Sequence, residues 1–304
     1  MTKPSLVIHG GAWDIPSSLV AAHRKGLRTA LKEGWQVLLH GGSAVDAVER
    51  AIVIMEDDET FDAGRGSFLN AAGEVEMDAS FMDGKSFRAG AVAAVQTVRH
   101  PITLARRVMD QSEHVLLVGM GATRFAREQG IELCGQDDLI TLRELERWRS
   151  LQGKPNVKTR DAFRKKRKPT GTAGAVAVDR EGNVAAGTST GGTPNKYPGR
   201  IGDSPLIGCG TYADNMAGGV STSGWGEAMI KVVMAKTVVD LMAVHDGDPA
   251  KAAKEGLKIL VSKANGFGGI IALNKAGEVG IAYNTPRMAR AYITSRMDAP
   301  LVQV

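Results

Sequence analysis

The residues best suited to chemistry lie in one tract, rich in hydroxyls and glycines, that runs from Pro169 to Asn215: PTGTAGAVAVDREGNVAAGTSTGGTPNKYPGRIGDSPLIGCGTYADN. A threonine hydroxyl becomes a useful nucleophile only when a base stands beside it. Taken alone, GTAGAVAV is a glycine-led strand, and its place directly after a strongly basic segment is what singles it out. Other catalytic signatures are missing. The chain has no Walker A loop, GxSxG elbow, HExxH helix or CxxC pair, and its six histidines are scattered rather than spaced as metal ligands. His9 could serve as a base, but at the end of an apolar run it reads more readily as a structural histidine.

Several further motifs stand in a fixed order: HGGAW near the start, FDAGRGSFLN, MDASFMDG and RAGAVAAV in the first half, then GTAGAVAVD, TSTGG, PGRIGDSPLIGCGTYADN and STSGWGE. Together they span nearly the whole chain. In this set the sequence resembles the plant-type asparaginases, also called isoaspartyl peptidases, which are N-terminal-nucleophile hydrolases that cut themselves from an inactive precursor. The resemblance implies an α+β protein, a four-layer αββα sandwich, cleaved between Gly171 and Thr172 into fragments 1–171 and 172–304. It also implies a homodimer of such α/β heterodimers.

The roles implied by the resemblance make chemical sense on these residues. Cleavage would free the α-amine of Thr172, whose reference pKa near 7.7 to 8.0 suits a base at neutral pH, so one residue supplies nucleophile and base. The β-branch of Thr172 restricts χ1 and keeps its hydroxyl aimed, while Gly171 puts no side chain on the turn that the hydroxyl attacks. Thr190, in TSTGG, matches the second active-site threonine, which orients the nucleophile; without the resemblance it is a turn threonine. Arg200 and Asp203 match the clamp for the free amino-acid end of the substrate, the guanidinium taking the α-carboxylate and the carboxylate the α-ammonium. Outside the resemblance, an arginine and an aspartate three apart would be a surface ion pair.

Ser223 and Gly224 fall at the oxyanion hole, where the family usually has threonine and glycine. Serine keeps the donor but loses the methyl that fixes its rotamer. Asp62 replaces a usual asparagine near the nucleophile, where a carboxylate could shift the base's pKa or favour a basic leaving group. The loop from Met55 to Arg65 resembles one that holds a structural sodium ion through backbone carbonyls, and no other cofactor is implied. The expected substrates are β-aspartyl dipeptides and L-asparagine. The rivals are glycosylasparaginase-like or threonine-aspartase-like chemistry on the same fold, and, from another class, a nucleic-acid-binding protein using the basic segment.

These residues need a scaffold, and the patterning supplies one. Ser5–His9 reads as a buried strand ending at Gly10 and Gly11, followed by a helical stretch from about Ser17 to Leu39. Ser43 opens a second helix with Asp46 three residues on, as in a capping box, and Val45, Val48, Ile52 and Met55 share a face. Strands are predicted over Glu74–Met82, Gly90–Val95 and His114–Gly119, with helices over Ile102–Met109, Thr123–Glu128 and Leu142–Ser150. GAVAVD and NVAAGTST flank the turn Arg180–Asn183 as a hairpin. One helical stretch is predicted from Trp225 to Val244 and another from Pro249 to Lys263. IIALN, EVGIAYN and RAYITS close the chain as strands. Runs of strands and hairpins favour stacked antiparallel sheets with helices outside over a doubly wound sheet.

Composition narrows the partners. The net charge of +5 is concentrated: from Lys154 to Thr170 there are eight Lys/Arg and one acid, a local +7, so the other residues sum to −2. With two prolines and five consecutive basic residues, this segment reads as a flexible linker over about residues 152–171, crossing a single core. It has neither the interleaved aromatics nor the accompanying motif of a nucleic-acid patch. Two cysteines make no disulfide framework, and neither a signal sequence nor a membrane-spanning run is apparent. The expected protein is cytoplasmic, acting on small molecules.

Overall fold

In a computed structural model, which describes residues 4–152 and 171–304, the chain is a mixed α+β protein with two sheets. Residues 153–170, nearly all of the segment read as a basic linker over about 152–171, lie outside the described residues. Strand β1 (Ser5–Trp13) leads through a short 3-10 turn into α1 (Val20–Leu39) and then α2 (Ala44–Asp57). Next come β2 (Met77–Asp83), β3 (Arg88–Val95), α3 (Pro101–Gln111), β4 (Leu116–Val118), α4 (Gly119–Glu128), α5 (Gln136–Leu139) and α6 (Leu142–Leu151). The second half supplies β5 (Ala173–Val178), β6 (Val184–Thr190), β7 (Thr211–Asp214), β8 (Gly218–Gly224), α7 (Gly226–Lys231), α8 (Met234–Val244), α9 (Pro249–Ala264), β9 (Gly268–Asn274), β10 (Val279–Tyr283), β11 (Arg287–Thr294) and β12 (Leu301–Gln303).

The larger sheet has the order β12-β11-β1-β5-β6-β2-β3-β4 and the smaller β10-β9-β8-β7. Their named strands pair antiparallel except β3 with β4. Strand β1, from the first half, thus lies between β5 and β11 from the second. Period-two burial sorts the side chains. Leu6 and Ile8 on β1 and Ala173, Ala175 and Ala177 on β5 join the apolar cluster of α1 and α2, whereas Val7, Val176, Val184 and Ala186 join the cluster that contains Val220 and Tyr212 of the smaller sheet. Helices α1, α2 and α3 pack on the larger sheet, α8 and α9 on the smaller, and β1, β5 and β6 meet β7, β8 and β9 face to face. The sheets are therefore held together through the strands that bear the candidate site.

Local signals explain some element ends. The Ser43 hydroxyl accepts from the Asp46 N–H at 3.1 Å and donates to the Asp46 carboxylate at 2.7 Å, capping α2 as its sequence predicts; such a cap is worth about 1 kcal/mol. The predicted hairpin is β5–β6, with Asp179 accepting from the turn N–H groups of Glu181 and Asn183. Two expectations are corrected, and one strand carries no signal in the sequence. Strand β1 does not end at the glycines but continues through them to Trp13 with a register shift between His9 and Ala12. A Cβ on Gly10 would lie 2.2 Å from the Phe61 ring, so this glycine answers a packing demand rather than a turn. The stretch from Trp225 to Val244 is two helices, broken where Val233 takes left-handed backbone angles (φ 46°). Strand β8 runs through GGVSTSG, which has no apolar alternation and was not predicted as a strand. Among the described residues, no helix is long and apolar enough to cross a membrane.

Candidate active site

Thr172 precedes β5 by one residue, and the register that pairs Ala173 with Ser189 sets it opposite Thr190 at the end of β6. The hydrogen bonds at this point run one way. The Thr172 hydroxyl donates to Thr190 Oγ1 at 3.2 Å, and the Thr190 hydroxyl donates to Asp62 Oδ2 at 3.4 Å. Thr190 Oγ1 also accepts from the Gly192 N–H at 2.9 Å. Asp62 is gripped in turn: Oδ1 accepts from the Phe68 N–H at 2.9 Å, and its carbonyl from the Gly191 N–H at 3.0 Å. Burial pushes the Asp62 carboxyl well above the usual carboxylate range, opposed by the Phe68 N–H. The nucleophile candidate thus rests against a buried hydroxyl, which in turn rests on a buried carboxyl.

Gly171 is buried, and the backbone crowds it: a Cβ on Gly11, whose φ is +104°, would lie 2.6 Å from Gly171 Cα. Only glycine fits Gly11 in both space and backbone angle. Beneath Thr172 lies His9, fully buried. Its Nδ1 is 2.9 Å from the Thr172 carbonyl and its Nε2 2.9 Å from Ser221 Oγ on β8. Burial lowers its pKa to about 4, so the ring is neutral at pH 7.

Strand β8 carries alternate faces of the site. Ser221 and Ser223 point toward the larger sheet, where Ser223 Oγ accepts from the Ala12 N–H at 3.0 Å. With a lone pair so occupied, the Ser223 hydroxyl hydrogen is free to turn toward a ligand. Gly224 follows, where a Cβ would meet the Phe267 carbonyl at 2.4 Å, so no larger residue fits. Thr222 points the other way and donates to Asp203 Oδ2 at 2.8 Å.

Asp203 is buried, which raises its pKa to about 6, against the pull of the Thr222 hydroxyl and the Arg200 charge. Arg200 and Asp203 converge on Gly226, where a Cβ would lie 2.8 Å from Asp203 Oδ1 and 2.9 Å from an Arg200 terminal nitrogen. Their partners differ, however. Arg200 Nε donates to Glu227 Oε1 at 2.9 Å, leaving one terminal nitrogen buried and unpaired among the described residues. A guanidinium with a spare buried donor beside a buried carboxylate suits a zwitterionic ligand end.

A family model described as asparaginase matches residues 2–301. The chain is a member of the asparaginase family. It is 44% identical to the isoaspartyl peptidase/L-asparaginase of Xenopus laevis over 96% of this chain and 92% of that protein. It is 45% identical to the protein of the same name from Bos taurus over 94% and 92% of the two chains, and 44% identical to that from Homo sapiens over 91% and 88%. Thr172, Thr190 and Asp62 form one group and Arg200 and Asp203 another, and Ser223 and Gly224 lie on the strand whose Thr222 holds Asp203 and whose Ser221 reaches Thr172 through His9.

Some residues of this candidate site carry no mark in the sequence. Glu227 was quoted within STSGWGE, but nothing in its spacing says that it holds Arg200. His9, read as structural, binds the candidate nucleophile's own carbonyl 163 positions away. Lys196 is 1% exposed, and its Nζ donates to the Glu76 carbonyl at 2.6 Å beside Gly192, placing a buried cation near Asp62. Among the described residues, no group of His, Cys, Asp or Glu is arranged to hold a metal.

Proposed function

We propose that this chain cleaves itself between Gly171 and Thr172 and then hydrolyses β-aspartyl dipeptides and L-asparagine through an acyl-enzyme on Thr172. The observation that carries this reading is the Thr172–Thr190 hydroxyl pair at 3.2 Å, in a chain whose relatives are named isoaspartyl peptidase/L-asparaginase. The freed α-amine takes the Thr172 hydroxyl proton as Oγ1 attacks the substrate's β-carbonyl carbon. The Ser223 hydroxyl and the Gly224 N–H donate to the developing oxyanion. Collapse breaks the C–N bond, the proton passes to the departing amine, and water then cleaves the ester to restore Thr172. Arg200 and Asp203 hold the α-carboxylate and α-ammonium, which fixes the β-carbonyl over the nucleophile.

The larger frame of this reading is the four-layer αββα sandwich of the N-terminal-nucleophile hydrolases, assembled as a homodimer of α/β heterodimers in the cytoplasm, with small molecules and not nucleic acid as partners. A sodium ion held by the loop from Met55 to Arg65 fits the backbone there. The carbonyls of Glu59 and Phe61 converge beside Gly66, where a Cβ would lie 2.7 and 2.9 Å from them. Such an ion would brace the loop that carries Asp62.

A denaturing gel of the purified protein tests the reading most directly. Two fragments are expected, the smaller beginning at Thr172 by N-terminal sequencing, and Thr172→Ala should stay intact and release no aspartate from β-aspartyl-leucine. A Thr172→Ala protein that still cleaved and still turned over would sink the mechanism.

A further inference from the structure

Once the Gly171–Thr172 bond is cut, the nucleophile is a chain end, and its backbone needs an anchor. The β1–β5 ladder ends at Gly10 with Ala173 and the β5–β6 ladder at Ala173 with Ser189, so Thr172 lies one residue beyond both. Among the described residues two side chains hydrogen-bond it: Thr190 at its hydroxyl and His9 Nδ1 at its carbonyl. We infer that His9 is a positioning residue, which replaces the missing ladder partner of the new N-terminus and holds the Thr172 peptide plane from which hydroxyl and amine are aimed. This rests on the reading of Thr172 as the nucleophile.

A line of buried hydroxyls fixes the ring in the form this task requires. A carbonyl only accepts, so Nδ1 carries the proton, and in a neutral imidazole Nε2 must then accept. Nε2 is 2.9 Å from Ser221 Oγ, Ser221 Oγ is 2.7 Å from Thr188 Oγ1, and Thr211 Oγ1 donates to Thr188 Oγ1 at 2.5 Å. Ser221 spends its one proton on Nε2, so Thr188 donates to Ser221 at 2.7 Å in preference to the Gly210 carbonyl at 3.2 Å. The line then runs Thr211 to Thr188 to Ser221 to His9 to the Thr172 carbonyl. His9, Thr188, Ser221 and Thr211 are all 0% exposed and come from four strands, so the line spans both sheets at the nucleophile. Space is as tight as the hydrogen bonding, since a Cβ on Gly174 would lie 2.1 Å from Ser221 Oγ and 2.3 Å from His9 Nε2.

Asparagine and glutamine separate this role from mere filling of a buried site. An asparagine amide reaches the place of Nδ1, and a glutamine amide that of Nε2. With β-aspartyl-leucine, and rates normalised to cleaved chain, His9→Leu should lose about 100-fold in kcat, the scale of a misplaced reacting group, with KM little changed. His9→Asn should recover most of that loss, and His9→Gln should not. Equal rates for the three variants, or a loss confined to KM, would overturn the inference. Should the variants fail to fold or to process, nitrogen-15 NMR of the wild-type histidines decides: Nδ1 protonated and Nε2 bare at His9 supports the inference, the opposite tautomer refutes it. A wild-type protein that neither cleaves nor hydrolyses would remove the functional reading itself, a result distinct from all of these.

Discussion

The two ends of the candidate site are built on opposite principles. The groups that hydrogen-bond Thr172 are neutral: the Thr190 hydroxyl and a His9 ring itself bonded to Ser221. Burial drives the Asp62 carboxyl behind Thr190 toward its protonated form, with the Lys196 charge pulling the other way. Around Arg200 the partners are charged: Arg200 pairs with Glu227 at 2.9 Å beside the buried Asp203. A nucleophile aimed by neutral hydrogen bonds keeps its geometry over a wide range of pH. A clamp made of buried charges binds strongly but titrates. The difference teaches that the hydrogen bonds around Thr172 should govern kcat, while the Arg200 end governs substrate binding and adds a second titration to kcat/KM.

The largest effect expected at the charged end comes from Arg200→Ala. Charge-assisted hydrogen bonds are worth about 1.5–3 kcal/mol, and the change also leaves Glu227 without its cation. We expect kcat/KM for β-aspartyl-leucine to fall by roughly 100-fold at about 1.4 kcal/mol per tenfold, mostly through KM, with self-cleavage unimpaired because the scissile bond is intramolecular. Arg200→Lys should restore little, since an ammonium cannot present the planar fork. Loss of self-cleavage in Arg200→Ala would join the two ends that the comparison separates.

Next in size is the pH profile. Asp203 must be ionised to hold an ammonium, and burial raises its pKa to about 6, so binding weakens as pH falls through that value. The Thr172 amine must be neutral to act as base, with a reference value near 7.7 to 8.0. The logarithm of kcat/KM should therefore fall with a slope of one below the amine value and of two below about pH 6. In Asp203→Asn the second break should vanish while the first remains. A wild-type profile that kept unit slope down to pH 5 would show that Asp203 does not bind the ammonium.

How much of this was legible in the sequence follows the range of the interactions. The α2 cap and the β5–β6 turn depend on residues within four positions, and Ser43 with Asp46 and the turn Arg180–Asn183 announce them. Thr172, Thr190, Arg200 and Asp203 were found because their motifs resemble a family, not because spacing alone marks them. The continuation of β1 through Gly10 and Gly11 was not legible, since these glycines yield to Phe61 and Gly171, distant neighbours that leave no local trace. Strand β8 hid for a related reason: both of its faces are buried, and Ser221, Thr222 and Ser223 satisfy His9, Asp203 and the Ala12 N–H rather than an apolar core. The role of His9 was hidden because its partner is a backbone carbonyl, which any residue supplies.

The smallest expected effect lies at the neutral end, at Asp62. Asparagine matches aspartate in shape, and its oxygen can keep the Phe68 N–H, but its amide group donates where Asp62 Oδ2 accepts from Thr190. Thr190 already accepts from Gly192 and Thr172, so its own proton would have to turn back toward Thr172 Oγ1. That reverses the direction of one hydrogen bond at the nucleophile without moving an atom by much, and such a bond contributes about 0.5–1.5 kcal/mol. Asp62→Asn should therefore change kcat by less than roughly tenfold, leave KM for β-aspartyl-leucine unaltered and keep self-cleavage. Because burial favours the uncharged form of Asp62, the two breaks in the pH profile should stay where Thr172 and Asp203 put them. A shift of the upper break in Asp62→Asn would mean instead that Asp62 is ionised beside the amine, and the neutral end would then be a second charged one.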